Sequence, residues 1–440
     1  MKTEPTDAPE PRYLTPDQLQ VGVFVMIELP WFQHPFPMSN FKIRNEDQLR
    51  GLRAMRLNRY RFDPLRSDVH VDHESASGQG ATAAVEPQTP AIENDNPEVV
   101  AKLERMKAIA LHREHVAQVE KAFVKATAVM KNLNRNLFAR PKETLGEIGS
   151  LIGDMVEAFL TSPEATLHVM GDKAGGEEVY FHSLNVAILS MMLAKDLGFS
   201  AKVATEMGVG AMLHDIGLTE IPDRVAKKNP ADFTNAERNL RASHVELGVG
   251  MGQRLGMSAE ALALIAQHHE MADGGGYPKG IKEADMTPAA RVVSMVNFYD
   301  NLCNPVDIQK AMTPHEALSF MFAQRRSKFE ARTLQLMIRS LGVYPPGSVV
   351  QLSNQALASV TSVNPKKPLR PWVMVYDASI DKKEALMINL EAQPEINIIK
   401  SIRPGLLPPK VAAYLSPRSR VTYFFDAGAG SPDRPAGSRA

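Results

Sequence analysis

Five of the chain's twelve histidines fall between positions 182 and 269, at His182, His214, His244, His268 and His269. His214 is followed directly by Asp215, and His268 and His269 are neighbours. Glu178 stands four residues before His182 on a stretch that reads as helix, which places both side chains on one face. Neutral imidazoles together with carboxylates suit divalent first-row metals. A single carboxylate flanked by imidazoles, here Asp215, can bridge two ions, the arrangement that makes a hydroxide nucleophile at neutral pH and holds it in line with a phosphate. A lone helical histidine is usually an ordinary surface or core residue. Five of them on successive helical stretches in an apolar context are not explained that way. The run Gly274-Gly275-Gly276-Tyr277-Pro278 adds a loop whose glycines permit close backbone approach to a ligand, while Tyr277 offers a ring and a hydroxyl.

The segments that must position these groups read as helices from 176 to 342. Thr234-Asn235-Ala236-Glu237 is a capping-box pattern, Thr287-Pro288 pairs a cap with proline at the first helical position, and Thr313-Pro314-His315-Glu316 carries both signals. Before this core, residues 12–66 mix alternating apolar stretches such as Val21-Gly22-Val23-Phe24-Val25-Met26 with a helix expected at 46–56. Thr15-Pro16-Asp17-Gln18 reads as a further helix start. Residues 67–97 are polar, small and proline-containing, which predicts a flexible linker. Residues 98–175 form a helical connector, with helix-prone stretches at 98–137 and 142–160 that suit a bundle or a dimerising stalk, although no heptad is clear enough to assign a homodimer. From 343 to 426 the runs Val349–Leu352, Trp372–Tyr376 and Ala385–Leu390 predict a small β-rich appendage, and 427–440 a disordered tail. The fold class expected is mainly α: an all-helical metal-binding core, a small α+β N-terminal module and a small β-rich C-terminal appendage.

Composition narrows the function classes. The chain has 440 residues, 44% hydrophobic, with 50 basic and 50 acidic side chains, so it carries no overall pull toward nucleic-acid polymers or anionic lipid. No run of 18 apolar residues exists to span a bilayer, and the start, Met1-Lys2-Thr3-Glu4-Pro5, has no apolar leader. The single Cys303 cannot form an internal disulfide. A cytoplasmic protein is the expectation.

In order along the chain, His182, then Leu213-His214-Asp215-Ile216-Gly217, then His244 with Gly248, then His268-His269-Glu270 with Asp273 and Gly276-Tyr277-Pro278, then Arg291, resemble the HD-GYP family of metal-dependent phosphohydrolases. The resemblance covers about 176–303. Residues 12–66, with Gly22-Val23-Phe24-Val25 and Trp31-Phe32-Gln33-His34-Pro35-Phe36, look like the uncharacterised N-terminal module often fused to that family. It implies an HD-type helical core holding two or three iron or manganese ions and hydrolysing the bacterial second messenger cyclic di-GMP to pGpG or GMP. Other signalling proteins such as diguanylate cyclases would be partners. By position, His182, His214, Asp215, His244, His268 and His269 match metal ligands, and Glu178 matches the extra carboxylate of three-metal members. His214 and Asp215 would carry the catalysis, and Gly276, Tyr277, Pro278 and Arg291 the substrate contacts.

Two departures stand out. Leu218 replaces the lysine that usually follows His-Asp-Ile-Gly, removing a cation. Asn297 occupies the place of a ligand aspartate and offers only a neutral carbonyl oxygen, so one metal should bind more weakly. Asp300, three residues further on, only partly shares its helix face. These features support a second reading, a catalytically impaired domain that acts as a cyclic di-GMP receptor or protein-interaction module. Elsewhere, Trp31, Phe32, Phe36 and Phe41 read as the core of their module, and Arg325-Arg326 with Lys328 and Lys366-Lys367 with Arg370 read as solvated surface.

Overall fold

The computed structural model describes residues 12–29, 34, 36, 40–69, 114, 117, 119–133, 136–161, 166–169, 179–363, 367–378, 380–382, 385–415 and 421–426. Glu178, Trp31, Phe32, Lys366, most of the expected linker, the start of the long connector helix and the tail at 427–440 lie outside them. The chain divides into two compact units, Met1–Ala110 and Leu111–Ala440.

In the first unit four short strands, β1 (Arg12–Leu14), β2 (Phe24–Met26), β3 (Asn40–Lys42) and β4 (Tyr60–Phe62), form an antiparallel sheet of order β1-β4-β2-β3. Helix α1 (Glu46–Ala54) lies between β3 and β4 in sequence, and Asn45 caps it by accepting from the Gln48 amide. Leu14, Val23, Val25, Ile43, Leu49 and Leu52 are buried with Tyr60, whose hydroxyl donates to the Leu52 carbonyl. The helix start read at Thr15 delivers one 3₁₀ turn, Pro16–Gln18, after which the backbone is extended at Leu19. Ser67 accepts from the Phe24 amide and the Asp68 amide donates to Gly22, so the module's bonding continues through these residues at the start of the stretch read as linker.

The second unit begins with helices α2 (119–133) and α3 (Pro141–Thr161), followed by a short strand β5 (Thr166–Val169) and then α4 (Val179–Leu197). Val186, Ala187, Ile188 and Leu189 are all fully buried, and four consecutive positions cover a whole helical turn. Helix α4 is therefore the central post. Against it pack α5 (Ala201–Leu213), α10 (Pro288–Cys303), α12 (Ala331–Leu341) and α3. Helices α6 (Asp223–Ala226), α7 (Asn235–Ala242), α8 (His244–Leu255), α9 (Ala259–Gln267) and α11 (Pro314–Gln324) complete the helical part. The capping boxes read at Thr234 and Thr313 begin α7 and α11, and Thr287 caps α10 by accepting from the Ala290 amide. Among the described residues no helix is long and apolar enough to cross a membrane.

Beyond α12 the chain forms strands β6 (Val349–Leu352), β7 (Leu357–Ser362), β8 (Trp372–Val375), β9 (Leu386–Asn389) and β10 (Ile398–Ile402), helix α13 (Pro409–Leu415) and strand β11 (Tyr423–Asp426). The sheet has the order β10-β6-β7-β5-β11, with β8 pairing to β7 and β9. Strand β5 comes from the stretch read as helical connector. Thr166 and Val169 are β-branched and favour an extended chain, and β11 supplies the antiparallel partner from the far end of the sequence. The segment leading into β11 belongs to the helical core as well. Tyr423 and Phe424 are buried, and the Phe424 ring meets Phe123 of α2 edge-on at 5.6 Å, with Phe181 of α4 stacked on Phe123 at 5.6 Å.

Phe424→Ala is expected to lower unfolding stability by about 3–5 kcal/mol, a loss read from urea denaturation. A loss under about 1 kcal/mol would mean that this ring does not fill the helical core.

Candidate metal centre

Three of the histidines are placed by one local device. His214 follows the last residue of α5, His268 follows the last residue of α9, and His244 comes two residues after α7 ends. The last carbonyls of a helix lack intrahelical donors. Each imidazole supplies one: His214 Nδ1 lies 2.7 Å from the Ala211 carbonyl oxygen, His244 Nδ1 2.6 Å from that of Arg241, and His268 Nδ1 2.7 Å from that of Ile265. The Nδ1–H donates to the residue three back, which fixes the tautomer and leaves Nε2 bare. His182, in the first turn of α4, reaches the same state through a side chain, its Nδ1 lying 2.7 Å from Asp300 Oδ2.

The four bare nitrogens converge in two pairs on Asp215. His182 and His214 have Nε2 atoms 3.2 Å apart, and His244 and His268 have theirs 3.1 Å apart. Asp215 Oδ2 faces the first pair at 3.8 and 3.5 Å, and Oδ1 faces the second at 3.2 and 3.5 Å. Lone pairs thus meet lone pairs, and Asp215 Oδ1 is buried with no hydrogen-bond partner. Unmatched acceptors at this density are strongly unfavourable unless cations lie among them. The residues divide into two groups whose ligand atoms lie within 4.8 Å of one another and which could hold metal: His182, His214 and Asp215; and Asp215, His244, His268 and His269. The donor set fits metal ions, and Asp215 serves both groups.

Electrostatics agree with ligation. Burial drives His214 down to about 3, against the opposing pull of Asp215, and lowers His268 and His269 as well. Burial pushes Asp215 upward, but the surrounding imidazoles, His214 foremost with His244 and His268, outweigh it and hold the carboxyl well below its ordinary value. At neutral pH the carboxylate is therefore ionised and these imidazoles keep their lone pairs. Burial would lower His182 too, yet the bond and charge of Asp300 reverse the direction and raise it.

Glycines bring these pieces together. A Cβ on Gly217, in the turn after Asp215, would sit 2.0 Å from the His244 carbonyl oxygen and 2.6 Å from the Gly248 amide nitrogen, so only glycine lets that turn rest on α8. A Cβ on Gly276 would lie 2.5 Å from both the His269 oxygen and the Met271 nitrogen. The loop is held there by the Tyr277 amide donating to His269 at 3.1 Å, and by buried Glu270, which accepts from the Lys279 and Ile281 amides at 2.8 and 3.0 Å. The Tyr277 ring stacks on His269 with centroids 4.4 Å apart while 36% of the residue stays exposed. Pro278 beside it is exposed.

Not every expected residue joins the cluster. Arg291 spends its guanidinium on Glu330 at 3.0 Å, on the Met286 carbonyl at 3.3 Å and on Glu283 at 3.9 Å, inside the frame between α10 and α12. Asn297 is buried; its Nδ2 donates to the His268 carbonyl at 3.3 Å and its Oδ1 accepts from Asn301 at 2.8 Å. Asp300 does not enter as a substitute ligand, because Oδ2 is committed to His182 and Oδ1 accepts from Asn185 and Asn304 at 2.8 and 2.9 Å. Sequence reading missed that aiming role, the loop-pinning role of Glu270, and Arg241. The Arg241 guanidinium has a buried Nη1 without a partner, and its charge reaches Tyr277. A cation at the end of α7 just before His244 was the available signal.

Metal-stripped protein is expected to lose stability as pH falls. His214, His268 and His269 have folded-state values below the ordinary 6.5, so the unfolded chain takes up protons first; each contributes stability above about pH 6.5 that is lost on acidification. His182 is raised, so its contribution is present below about 6.5 and lost as pH rises through its folded value. Three oppose one, and urea denaturation at pH 5.5 should give a stability on the order of 2 kcal/mol below that at pH 7.5. Equal or greater stability at pH 5.5 would contradict neutral ligand imidazoles.

Comparison with known proteins places these features in a family context. Residues 158–333 match the HD domain family, 14–148 the domain of unknown function DUF3391, and 349–407 the KOW domain associated with HD domain. A cyclic di-GMP phosphodiesterase of Pseudomonas aeruginosa is 27% identical over 369 residues, 83% of this chain and 85% of the other. The cyclic di-GMP phosphodiesterase response regulator RpfG of Xanthomonas campestris is 32% identical over 150 residues, 34% of this chain and 39% of its own. A 3'3'-cGAMP-specific phosphodiesterase of Vibrio cholerae is 27% identical over 214 residues, 48% of this chain and 40% of its own. The helical core of this chain thus matches an HD domain, with a match to DUF3391 before it and to the KOW domain associated with HD domain after it.

Proposed function

We propose that the chain is a metal-dependent phosphodiesterase that hydrolyses cyclic di-GMP to linear pGpG, GMP or both. The observation that carries this reading is the Asp215 carboxylate, each of whose oxygens faces its own pair of bare imidazole nitrogens. His182, His214 and Asp215 would hold one ion, and Asp215, His244, His268 and His269 another. Iron or manganese suits the mixture of imidazole and carboxylate, and the motif resemblance would give Glu178 to a third ion. Bound ions supply Lewis acidity toward a phosphodiester and activate water as a nucleophile at neutral pH.

The chain's own groups do the rest. Asp215 stays ionised and joins the two ligand groups, so both are held in one frame. Tyr277, on a loop fastened by Glu270 and stacked on His269, presents a ring edge and hydroxyl to an incoming nucleotide. Burial, reinforced by the charge of Asp215 and offset in part by Arg241, pushes that hydroxyl upward, so it remains a proton donor at neutral pH. Arg241 offers an unspent guanidinium to a dianionic substrate, where Leu218 offers none. The lengthwise match to the Pseudomonas aeruginosa phosphodiesterase supports cyclic di-GMP as the substrate.

Anaerobically purified protein loaded with Mn²⁺ is expected to release pGpG or GMP from cyclic di-GMP, scored by anion-exchange chromatography. Chelation should abolish release, and His214→Ala and Asp215→Ala should each lower kcat by about 100-fold or more. Fully metallated protein that gives no product would overturn the reading, and tight cyclic di-GMP binding without turnover would select a receptor. A panel with 3'3'-cGAMP tests the substrate. Asn297→Asp is expected to raise Mn²⁺ affinity roughly tenfold by adding a charge beside the cluster; unchanged affinity would show that a carboxylate at 297 does not reach an ion.

A further inference from the structure

We propose that the last strand of the chain is part of the metal centre, with Asn185 and Asn304 as positioning residues that lock Asp300 and, through it, His182. The inference rests on His182 being a metal ligand, as in the reading above. Asp300 is fully buried, and a carboxylate with one free oxygen could rotate about its last bond. Here it cannot. Oδ2 takes the His182 Nδ1–H at 2.7 Å, and Oδ1 accepts from Asn185 Nδ2 at 2.8 Å and Asn304 Nδ2 at 2.9 Å.

Those two amides are themselves held by the chain just before β11. The second hydrogen of each Nδ2 goes to the Val421 carbonyl, at 2.9 Å from both. Asn304 Oδ1 accepts from the Val421 amide at 2.8 Å, and Asn185 Oδ1 accepts from the Tyr423 amide at 2.9 Å. Both asparagines thereby have each hydrogen of their amide and its oxygen engaged, one bond of each toward Asp300 and two toward the main chain of 421–423. The strand is seated independently by Tyr423, whose hydroxyl lies 2.9 Å from that of Tyr299, and by the Phe424 ring against Phe123. Without 421–423, Asn185 and Asn304 would lose four bonds in dry surroundings and be free to leave Asp300. The His182 ring would then lose the orientation that puts its Nε2 at 3.2 Å from that of His214.

The test uses full-length protein and Mn²⁺ as probe, with affinity measured by chelator competition and ions per chain by elemental analysis. Asn185→Ala and Asn304→Ala are each expected to weaken the more weakly held Mn²⁺ by about 10–100-fold. Val373→Ala trims a buried side chain of β8, away from 421–423; it should lower the urea midpoint yet leave Mn²⁺ affinity within about twofold of wild type. Asp300→Asn should weaken binding as the asparagine variants do, and adding Asn304→Ala to it should cost no more, since both act through one carboxylate. Wild-type affinity in the folded asparagine variants, equal weakening by Val373→Ala, or full additivity with Asp300→Asn would each overturn the inference. Wild-type protein that binds no Mn²⁺ would instead bring down the metal reading on which it rests.

Discussion

The structure turns on the crowding of acceptors. Four imidazole nitrogens without hydrogens and two carboxylate oxygens approach one another at 3.1 to 3.8 Å in a region where His214, His244 and His268 are fully buried. Such an arrangement opposes folding, because most of these groups have been taken from water without a donor in exchange. The protein tolerates it by fastening the opposite side of each ring, so that the histidines cannot turn away and relieve the repulsion. The conflict is built into the main chain and is resolved by positive charge from outside it.

Helix packing makes that conflict possible. The ligands come from the ends of α5 and α9, the start of α8 and the first turn of α4, and a continuous apolar core links these helices, α5 packing on α4, α9 on α5 and α8 on α9. Gly217 lets the Asp215 turn press onto α8, and Gly276 lets the tyrosine loop press onto the His268–Glu270 turn. Both contacts are backbone against backbone, so the approach of the ligands is set by peptide geometry, with little slack from flexible side chains.

Much of this was legible in the residues. Histidines on successive helical stretches, adjacent to Asp215 or to one another, pointed to side chains that the fold brings together, and the capping signals at Thr234, Thr287 and Thr313 marked real helix starts. The strands at Val349, Trp372 and Leu386 were visible as alternating apolar runs, whereas Leu357–Ser362 and Ile398–Ile402 were not, being short and half polar. What could not be read depends on partners far apart in the chain. Thr166–Val169 becomes a strand because Tyr423–Asp426 pairs with it, and Asp300 turns to His182 because Asn185 and Asn304 are held by Val421. Arg291 looked like a substrate contact from its place in the motif order; only the positions of Glu330 and Glu283 reveal how its charge is spent.

The way the rings are fastened also bears on how this centre can drift over generations. His214, His244 and His268 lean on peptide carbonyls, which every amino acid supplies, so no point substitution at Ala211, Arg241 or Ile265 other than one that breaks the helix removes the prop. His182 alone leans on a side chain, and that side chain on two others. Heritable variation in the centre should therefore enter through this one ring, whose supports can be exchanged one codon at a time while the remaining three keep their aim.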